Sequence, residues 1–416
     1  MKRNPFSSKA YIRTWLTHFN SNGPAISFPF LKGASFFKYP FFPLYINIGR
    51  NLTKGISYSL FNENITKEAE NKVLLIYDVP EHWNNPENNT INEKIAIERI
   101  PQYPGFLIDL KPYKDLDSYM VQTFKRSSRY KLNKYKKKIE SCFNINYRMF
   151  YGEINQEEYE IIFDEFETLL KKRFQQKGIT NNNLDPAEWN FYKEVTYPMI
   201  LEKDAALFVT YSENQIIGVT LNYVTNNALI DAITVFDIDY SKFNLGSVNI
   251  MKLIEWCLEN QFDKLDFSKG YFDYKKRWSN MEYRFEYHLI YNKNAILPKT
   301  IAFAIKNYFI AKQFLRDKKL NDRIHRFKFL VNKSYTKQNM DTGFSFEDQI
   351  ELSTDYQLKE VFLPIENNHS LKMALFEYVY LNNESINDLR TYKVTNLEDT
   401  YIFQTGSKTT KVQLQR

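Results

Sequence analysis

Asp266-Phe267-Ser268-Lys269-Gly270, followed by Tyr274-Lys275, gathers several groups able to do chemistry into one short segment. An aspartate can hold an amine or hydroxyl and accept its proton, and a lysine can stabilise an anionic intermediate or a phosphate. A purely structural reading competes: a buried Asp–Lys or Asp–backbone contact that shapes the corner at Gly270. Upstream, Asn244-Leu245-Gly246-Ser247-Val248 is a small-residue turn that opens onto an amphipathic helix. Unpaired N–H groups and the positive dipole end at such a helix start make a ready site for a pyrophosphate. The competing reading is a plain helix cap by Asn244 or Ser247. Cys142 and Cys257 stand far apart, outside any CxxC or Cys/His spacing, so neither a metal site nor a disulfide framework is indicated. The five histidines are scattered and form no Ser-His-Asp or Cys-His pattern, which argues against a covalent intermediate.

The elements that must position these groups follow from periodicity. The chain starts with a helix over 8–20, then strand-like runs at 25–30, 44–48, 72–79 and 106–110. A polar, Asn-rich loop is expected over 80–92 and one long helix over 115–140. The second half of that helix, 125–138, carries eight cations and no acid, with Tyr130 and Tyr135 interleaved. It suits nucleic-acid phosphates, an anionic lipid-linked substrate, or simply solvent. After a strand at 145–150, Asn155 with Glu157 and Glu158 starts a helix that Gly178 stops, and Asp185-Pro186 opens another. Strands at 206–211, 216–223 and 228–236 are joined by short polar turns, as hairpins are. A helix over 246–260, a strand at 264–267 and a strand at 282–291 complete the regular part. Beyond it lie a basic amphipathic stretch over 297–331 and a polar tail with strand-like runs at 358–363, 378–381 and 400–404.

At 416 residues the chain is long enough for two or three domains. The aromatic run over 26–48 is broken by Pro29, Lys32, Lys38, Pro40 and Pro43, so it cannot span a membrane. The two isolated cysteines fit a reduced, cytoplasmic setting, and the basic N-terminal stretch shows neither an apolar core nor a small-residue cleavage site.

The element order, with Val235-Phe236-Asp237 closing a strand, Tyr240-Ser241 and Leu245-Gly246 before the helix, then Asp266-Phe267, Gly270, Tyr274-Lys275 and Arg277-Trp278, resembles the GNAT fold of acyl-CoA acyltransferases. More narrowly it is similar to the FemAB-like and CelD-type branch attached to polysaccharide and cell-envelope biosynthesis. The resemblance implies a mixed α/β protein: a degenerate GNAT-like domain over 1–144, an acyltransferase domain over 145–294, a basic segment over 295–335 and an extension over 336–416. It implies acetyl-CoA or another acyl-CoA as donor, held by Val235, Phe236, Asn244, Leu245, Gly246, Ser247 and Val248. Direct transfer to an amine or hydroxyl of a sugar or envelope precursor would use Asp266, Lys275 and Tyr274. Asp231, Asp237, Asp266, Glu282 and His288 remain open as bases, and Tyr240 or Tyr274 as the acid for the leaving thiol. The turn at Asn244 keeps only one glycine of the usual pyrophosphate loop. Aminoacyl-tRNA as donor, and a non-catalytic binding protein on a decayed scaffold, are the alternatives. Contact with the inner face of a membrane is a further possible partner interaction.

Overall fold

The computed structural model describes residues 4–61, 65–83, 93–179, 181–317, 343–348, 350, 355–362, 368–406 and 408–415. Residues 84–92 of the expected polar loop and 318–331 of the basic stretch lie outside them. The first part comprises α1 (Lys9–Phe19), β1 (Ile26–Phe28), β2 (Leu31–Lys38), β3 (Leu44–Asn47), β4 (Ser59–Leu60), α2 (Ile65–Glu68), β5 (Val73–Pro80), β6 (Ile95–Asp109), α3 (Leu116–Thr123) and α4 (Arg126–Cys142). Then come β7 (Ile145–Phe150), α5 (Gln156–Lys177), α6 (Pro186–Leu201), β8 (Ala205–Ser212), β9 (Gln215–Val224), β10 (Ala228–Phe236), α7 (Leu245–Glu259), β11 (Lys264–Lys269), α8 (Asp273–Trp278), β12 (Met281–Asn292) and α9 (Ile296–Asp317). The last part holds β13 (Phe344–Asp348), β14 (Leu358–Val361), α10 (His369–Asn382), β15 (Arg390–Val394), β16 (Thr400–Thr405) and β17 (Lys408–Leu414).

Twelve strands form one mixed sheet in the order β1-β2-β3-β5-β12-β6-β11-β10-β9-β8-β7, with β4 beside β2. Counted outward from the antiparallel β12–β6 pair, both sides follow the same sequence of pairings. β5 and β11 join antiparallel, β3 and β10 join those in parallel, and β2 and β9 return antiparallel. The sheet therefore has two halves with the same order of pairings, and they exchange strands, β6 lying on β11 and β12 on β5. Each half contains one parallel neighbour pair, which requires a crossover. In the second half α7 provides it; in the first the connection from β3 to β5 passes through β4 and the four-residue α2.

Local signals account for much of this. Asn155 caps α5 through its side chain, and Gly178 ends the helix in the left-handed conformation. Asp185 caps α6 with Pro186 in the first turn. The expected long helix over 115–140 is instead two helices. Asp115 closes a capping box on α3, and the chain extends at Phe124 and Lys125 before α4 restarts. The break buries Phe124 edge-on against Trp278, while the Arg129 guanidinium donates to the Phe124 carbonyl at 2.7 Å. The aromatic run holds a strand, β2, that fits between Pro29 and Pro40 rather than being broken by them.

The tail is more ordered than its composition suggests. Strands β13-β17-β16-β15-β14 make a second, antiparallel sheet. The expected strand at 378–381 belongs to α10, where Leu371, Ala374, Leu375, Tyr378 and Val379 recur at helical spacing behind an Asn368 cap. This module shares a core with Ile139 and Phe143 of the α4 end and with Tyr240 and Phe243.

Candidate active site

Strands β10 and β11 pair only over Ala228–Ile230 and Lys264–Asp266. Beyond those three rungs β10 runs on to Phe236 and β11 to Lys269 without pairing to each other. The separation has local causes on both strands. β10 carries a bulge between Asp231 and Ile233. β11 carries one between Asp266 and Lys269, with Ser268 left-handed at φ 58°. Bulges bend and twist a strand and re-aim its side chains. A non-glycine residue rarely holds φ near +60°, so something must secure Ser268. Asp266 does so: its carboxylate accepts the Ser268 N–H at 2.7 Å.

The head of α7 closes the end of the opening. Asn244 stands in the left-handed region at φ 54° and ψ 40°, and its side chain caps no backbone N–H. Its Oδ1 instead accepts from the Ser247 hydroxyl at 3.1 Å. The N–H groups of Ser247 and Val248 both donate to the Asn244 carbonyl, at 2.9 and 3.2 Å. They are therefore engaged within the turn and are not the free donors expected for a phosphate. Among the described residues the N–H groups of Leu245 and Gly246 have no partner, but Leu245 is fully buried and only the half-buried Gly246 offers its N–H to the opening. Leu245 and Val248 are themselves buried in the core, and Val235 is fully buried in β10. Phe236 lies half-buried with the Arg173 guanidinium over its ring at 4.7 Å. A Cβ on Gly246 would meet that ring at 2.7 Å, so the absence of a side chain there is already required by packing.

The approach to this turn is held from two sides. Asp237 and Asp239, both buried, receive the Lys172 ammonium at 2.5 and 2.6 Å. Lys372 of α10 reaches Asp239 at 2.8 Å and Asp237 at 3.8 Å. Against the penalty of burial, these two ammonium groups hold the Asp239 carboxyl below its usual range.

At the other strand end, Asp266 is almost fully buried and both its oxygens accept from the Tyr283 hydroxyl at 2.8 Å. Burial raises its carboxyl to about 6, against the hydrogen bonds from Tyr283 and Ser268 and the charge of Lys275. The one hydroxyl proton is shared between the two oxygens, and Oδ1 also accepts the Ser268 N–H, so these bonds hold Asp266 at the corner. Lys275, on the short α8, donates to the Lys269 carbonyl at 2.9 Å. Burial lowers its ammonium to about 8, opposed by Asp231 and Asp266 and assisted by Lys269. Tyr274 packs its ring at 6.0 Å from Phe267 and 6.1 Å from Phe272, and its phenol is pushed up by burial and then by Asp231.

Asp231, which the sequence offered as one base among five, sits at the β10 bulge and accepts the Thr234 hydroxyl at 2.7 Å. Burial raises its carboxyl, opposed by Thr234, Lys275 and Lys54. The other four are placed less well for proton transfer here. Asp237 is tied to Lys172, Asp266 to Tyr283, and Glu282 is exposed. His288 lies buried between Tyr58 and Glu286.

Lys54 and Asp78 were not singled out from sequence, and Lys269 was named there only as part of the Asp266–Gly270 segment. Lys269 pairs with Asp78 at 2.5 Å, and Thr53 donates to the same carboxylate at 3.1 Å. Lys54 comes from a Thr53-Lys54-Gly55 loop of the first half that carries no motif. Burial, then Lys269 and Lys275, lower its ammonium to about 8, and Asp78 and Asp231 oppose the shift. Its ammonium forms no ion pair among the described residues. Three lysines from both halves thus approach the mouth of the opening. No group of side chains suited to a metal ion occurs among the described residues.

Residues 126–276, from the start of α4 to α8, match the family model described as "Acetyltransferase (GNAT) domain", just over a third of the chain. No curated protein sequence matches the chain. Among solved structures it is similar to FemX, at 11% identity and a TM-score of 0.49, covering 73% of this chain and 95% of that one. It is similar also to a conserved protein of unknown function from Bacteroides thetaiotaomicron, at 10% identity and 0.46, covering 70% and 92%. A tandem GNAT protein from the clavulanic acid biosynthesis pathway follows at 8% and 0.31, covering 70% and 97%. These three likenesses are too distant to bear on substrate. The family match, and a parallel strand pair that parts at the head of a helix, make this an acyltransferase with a GNAT acetyltransferase domain.

Proposed function

We propose that the chain transfers an acyl group, most simply acetyl from acetyl-CoA, to an amine or hydroxyl of a sugar or envelope precursor. The observation that supports this most is the parting of β10 and β11 after Ile230 and Asp266, at the head of α7, where the N–H of Gly246 stands free. The pyrophosphate would lie at the Gly246 amide and the positive end of α7, and the pantetheine arm along the unpaired edge of β10. Asp231 would take the proton of the attacking group. A backbone N–H near 234–236 and the Lys275 ammonium would stabilise the oxyanion that forms on the thioester carbon. When that intermediate collapses and the C–S bond breaks, Tyr274 would return a proton to the leaving thiolate. The proton that Asp231 has taken up then restores the phenol through solvent, so the cycle closes with both groups in their starting states. Asp266 would hold the corner that presents Lys269 and Lys275. Lys54, unpaired beside them, favours an acceptor that carries a negative charge.

Titration calorimetry with acetyl-CoA, with total tRNA as comparison, tests the donor. Acetyl-CoA binding in the micromolar range, about −8 kcal/mol, supports the reading. Binding of tRNA alone would transfer the assignment to aminoacyl transfer. Binding of neither would leave a non-catalytic protein on the same scaffold. The basic α4 presents Lys131, Lys134 and Lys137 to solvent, and its other face packs through Leu132 and Ile139, so its charge needs no RNA to account for it.

A further inference from the structure

Helix α9 packs on the main sheet by one side only. Ala302 and Phe309 are buried, and the Phe309 ring stacks on Tyr287 at a centroid distance of 3.8 Å. A surface helix normally turns polar residues to water. Here the outward arc carries Ile296, Leu297, Phe303, Tyr308, Ile310 and Leu315, all exposed, with Phe303 at 69%. From Ile296 to Arg316 the sequence contains Lys299, Lys306, Lys312 and Arg316 and no acidic residue. Lys306 bonds to Glu98 at 2.7 Å and Lys312 lies over the Tyr308 ring, so the cations border the apolar arc instead of crossing it.

A second feature lies at the same end of the sheet. The tip joining β2 to β3 is Tyr39-Pro40-Phe41-Phe42-Pro43, closed by the Tyr39 N–H to the Leu44 carbonyl at 2.8 Å. Phe41 is fully exposed and Phe42 is 51% exposed. Leu44 is level with Val73, and Val73 with Tyr291, which precedes the start of α9 by a few residues. Two strand spacings, about 10 Å, therefore separate the strand that leaves the aromatic tip from the strand that leads into α9. Lys38, Lys293 and Lys299 lie exposed around them without an ion-pair partner among the described residues. Exposed large apolar residues grouped in this way mark an interaction surface.

We propose that the Phe41–Phe42 tip and the outer face of α9 form one docking surface for a bilayer containing anionic phospholipid. Apolar side chains enter the boundary between headgroups and acyl chains while bordering lysines keep their ammonium groups at the phosphates, which is how amphipathic interfacial helices bind. The lysines select an anionic lipid over a neutral one because each adds electrostatic attraction at a negative surface. This inference is independent of which acyl donor the cleft takes.

Flotation of the full chain with vesicles tests it, using phosphatidylcholine alone and phosphatidylcholine mixed with phosphatidylglycerol. The wild-type protein is expected to float with the mixed vesicles, weakly with the neutral ones, and less as salt rises. The pairs Phe41→Ser with Phe42→Ser, and Phe303→Ser with Ile310→Ser, should each weaken binding about tenfold or more. The triple change of Lys38, Lys293 and Lys299 to Glu should abolish the preference for phosphatidylglycerol. Melting temperatures should not change, since every altered side chain is exposed. A wild-type protein that floats with neither vesicle, or variants that float as well as it does, would overturn the proposal. So would a dimer in solution that the same serine pairs dissociate without any vesicle binding, because the surface would then join two copies of the chain.

Discussion

Replacing Asp266 by asparagine separates a positioning role from a purely destabilising burial. In the fold the carboxyl titrates at about 6, against a usual 3.8. Burial of the charge is the main cause, and it outweighs the Tyr283 and Ser268 hydrogen bonds. For an acid with a raised folded value the sign is fixed. Between about pH 4 and 6 the native state holds more protons than the unfolded chain, so this group's contribution to stability falls as pH rises through that window. Two units at 1.36 kcal/mol each give a loss of about 3 kcal/mol that is complete above pH 6. The asparagine side chain carries no charge to desolvate, keeps an oxygen for the Ser268 N–H, and can still bond to the Tyr283 hydroxyl. The D266N variant should therefore be no less stable than wild type at pH 7, and about as stable at pH 4. Urea unfolding of both proteins across pH 4–7.5 measures this. Asp239 titrates in the opposite sense in the acid range, so the readout is the difference between the two proteins. Turnover should fall nonetheless, because the Asp266–Ser268 contact that aims Lys269 and Lys275 loses its charge. A difference curve that is flat with pH would refute the linkage argument. A variant that unfolds several kcal/mol earlier at pH 7 would show that the carboxylate's hydrogen bonds exceed its desolvation cost.

K275M removes the proposed oxyanion partner and should lower kcat about 100-fold or more with little change in melting temperature; full specific activity in a less stable protein would make the residue structural. K54M should raise the KM for a charged acceptor while leaving acetyl-CoA affinity, measured by calorimetry, as it was. An equal loss of both would place Lys54 at the donor. G246A places a methyl 2.7 Å from the Phe236 ring. Overpacking of about 1–3 kcal/mol should exceed the gain in helix propensity of about 1 kcal/mol. The variant should melt lower and bind acetyl-CoA more weakly, and a higher melting temperature with unchanged affinity would contradict both the packing and the site.

Where a local signal fixes an element, the sequence is legible. The cap at Asn155, the stop at Gly178, the Asp185-Pro186 start and the three hairpin-linked strands all appear where periodicity places them, within a residue or two. The turn at Asn244 was legible as a helix start, but which of its N–H groups is free was not, because the engagement of Ser247 and Val248 depends on the left-handed Asn244. Strand β6 was legible only at its end, over 106–110. Its fifteen residues include Pro101, Pro104 and Gly105, which interrupt any alternation. The strand is possible because β12 shifts register opposite them and the Tyr283 ring lies over Gly105, where a Cβ would meet it at 2.3 Å. Lys54 and Asp78 are farther from any local signal. They join Lys269 and Lys275 only because the two halves share a sheet, and nothing in the Thr53-Lys54-Gly55 loop announces it. The left-handed Asp78 and Ser268 likewise break strand periodicity at the points where function would sit.

The exchange of β6 and β12 between the halves also sets an order of events during synthesis. Strand β5 is made early, but its neighbour toward the middle of the sheet is β12, more than two hundred residues later in the chain. Until Met281–Asn292 has emerged from the ribosome, the first half has an open edge at Val73–Pro80, and β6 lacks β12 and, before Lys264–Lys269 is made, β11 as well. Pairings so distant in sequence are slow to form, and an unpaired strand edge is prone to wrong partners in the meantime. The nascent chain therefore passes through most of its length with its central strands incomplete, and a ribosome-bound fragment ending before 281 is the form in which a chaperone would be needed most.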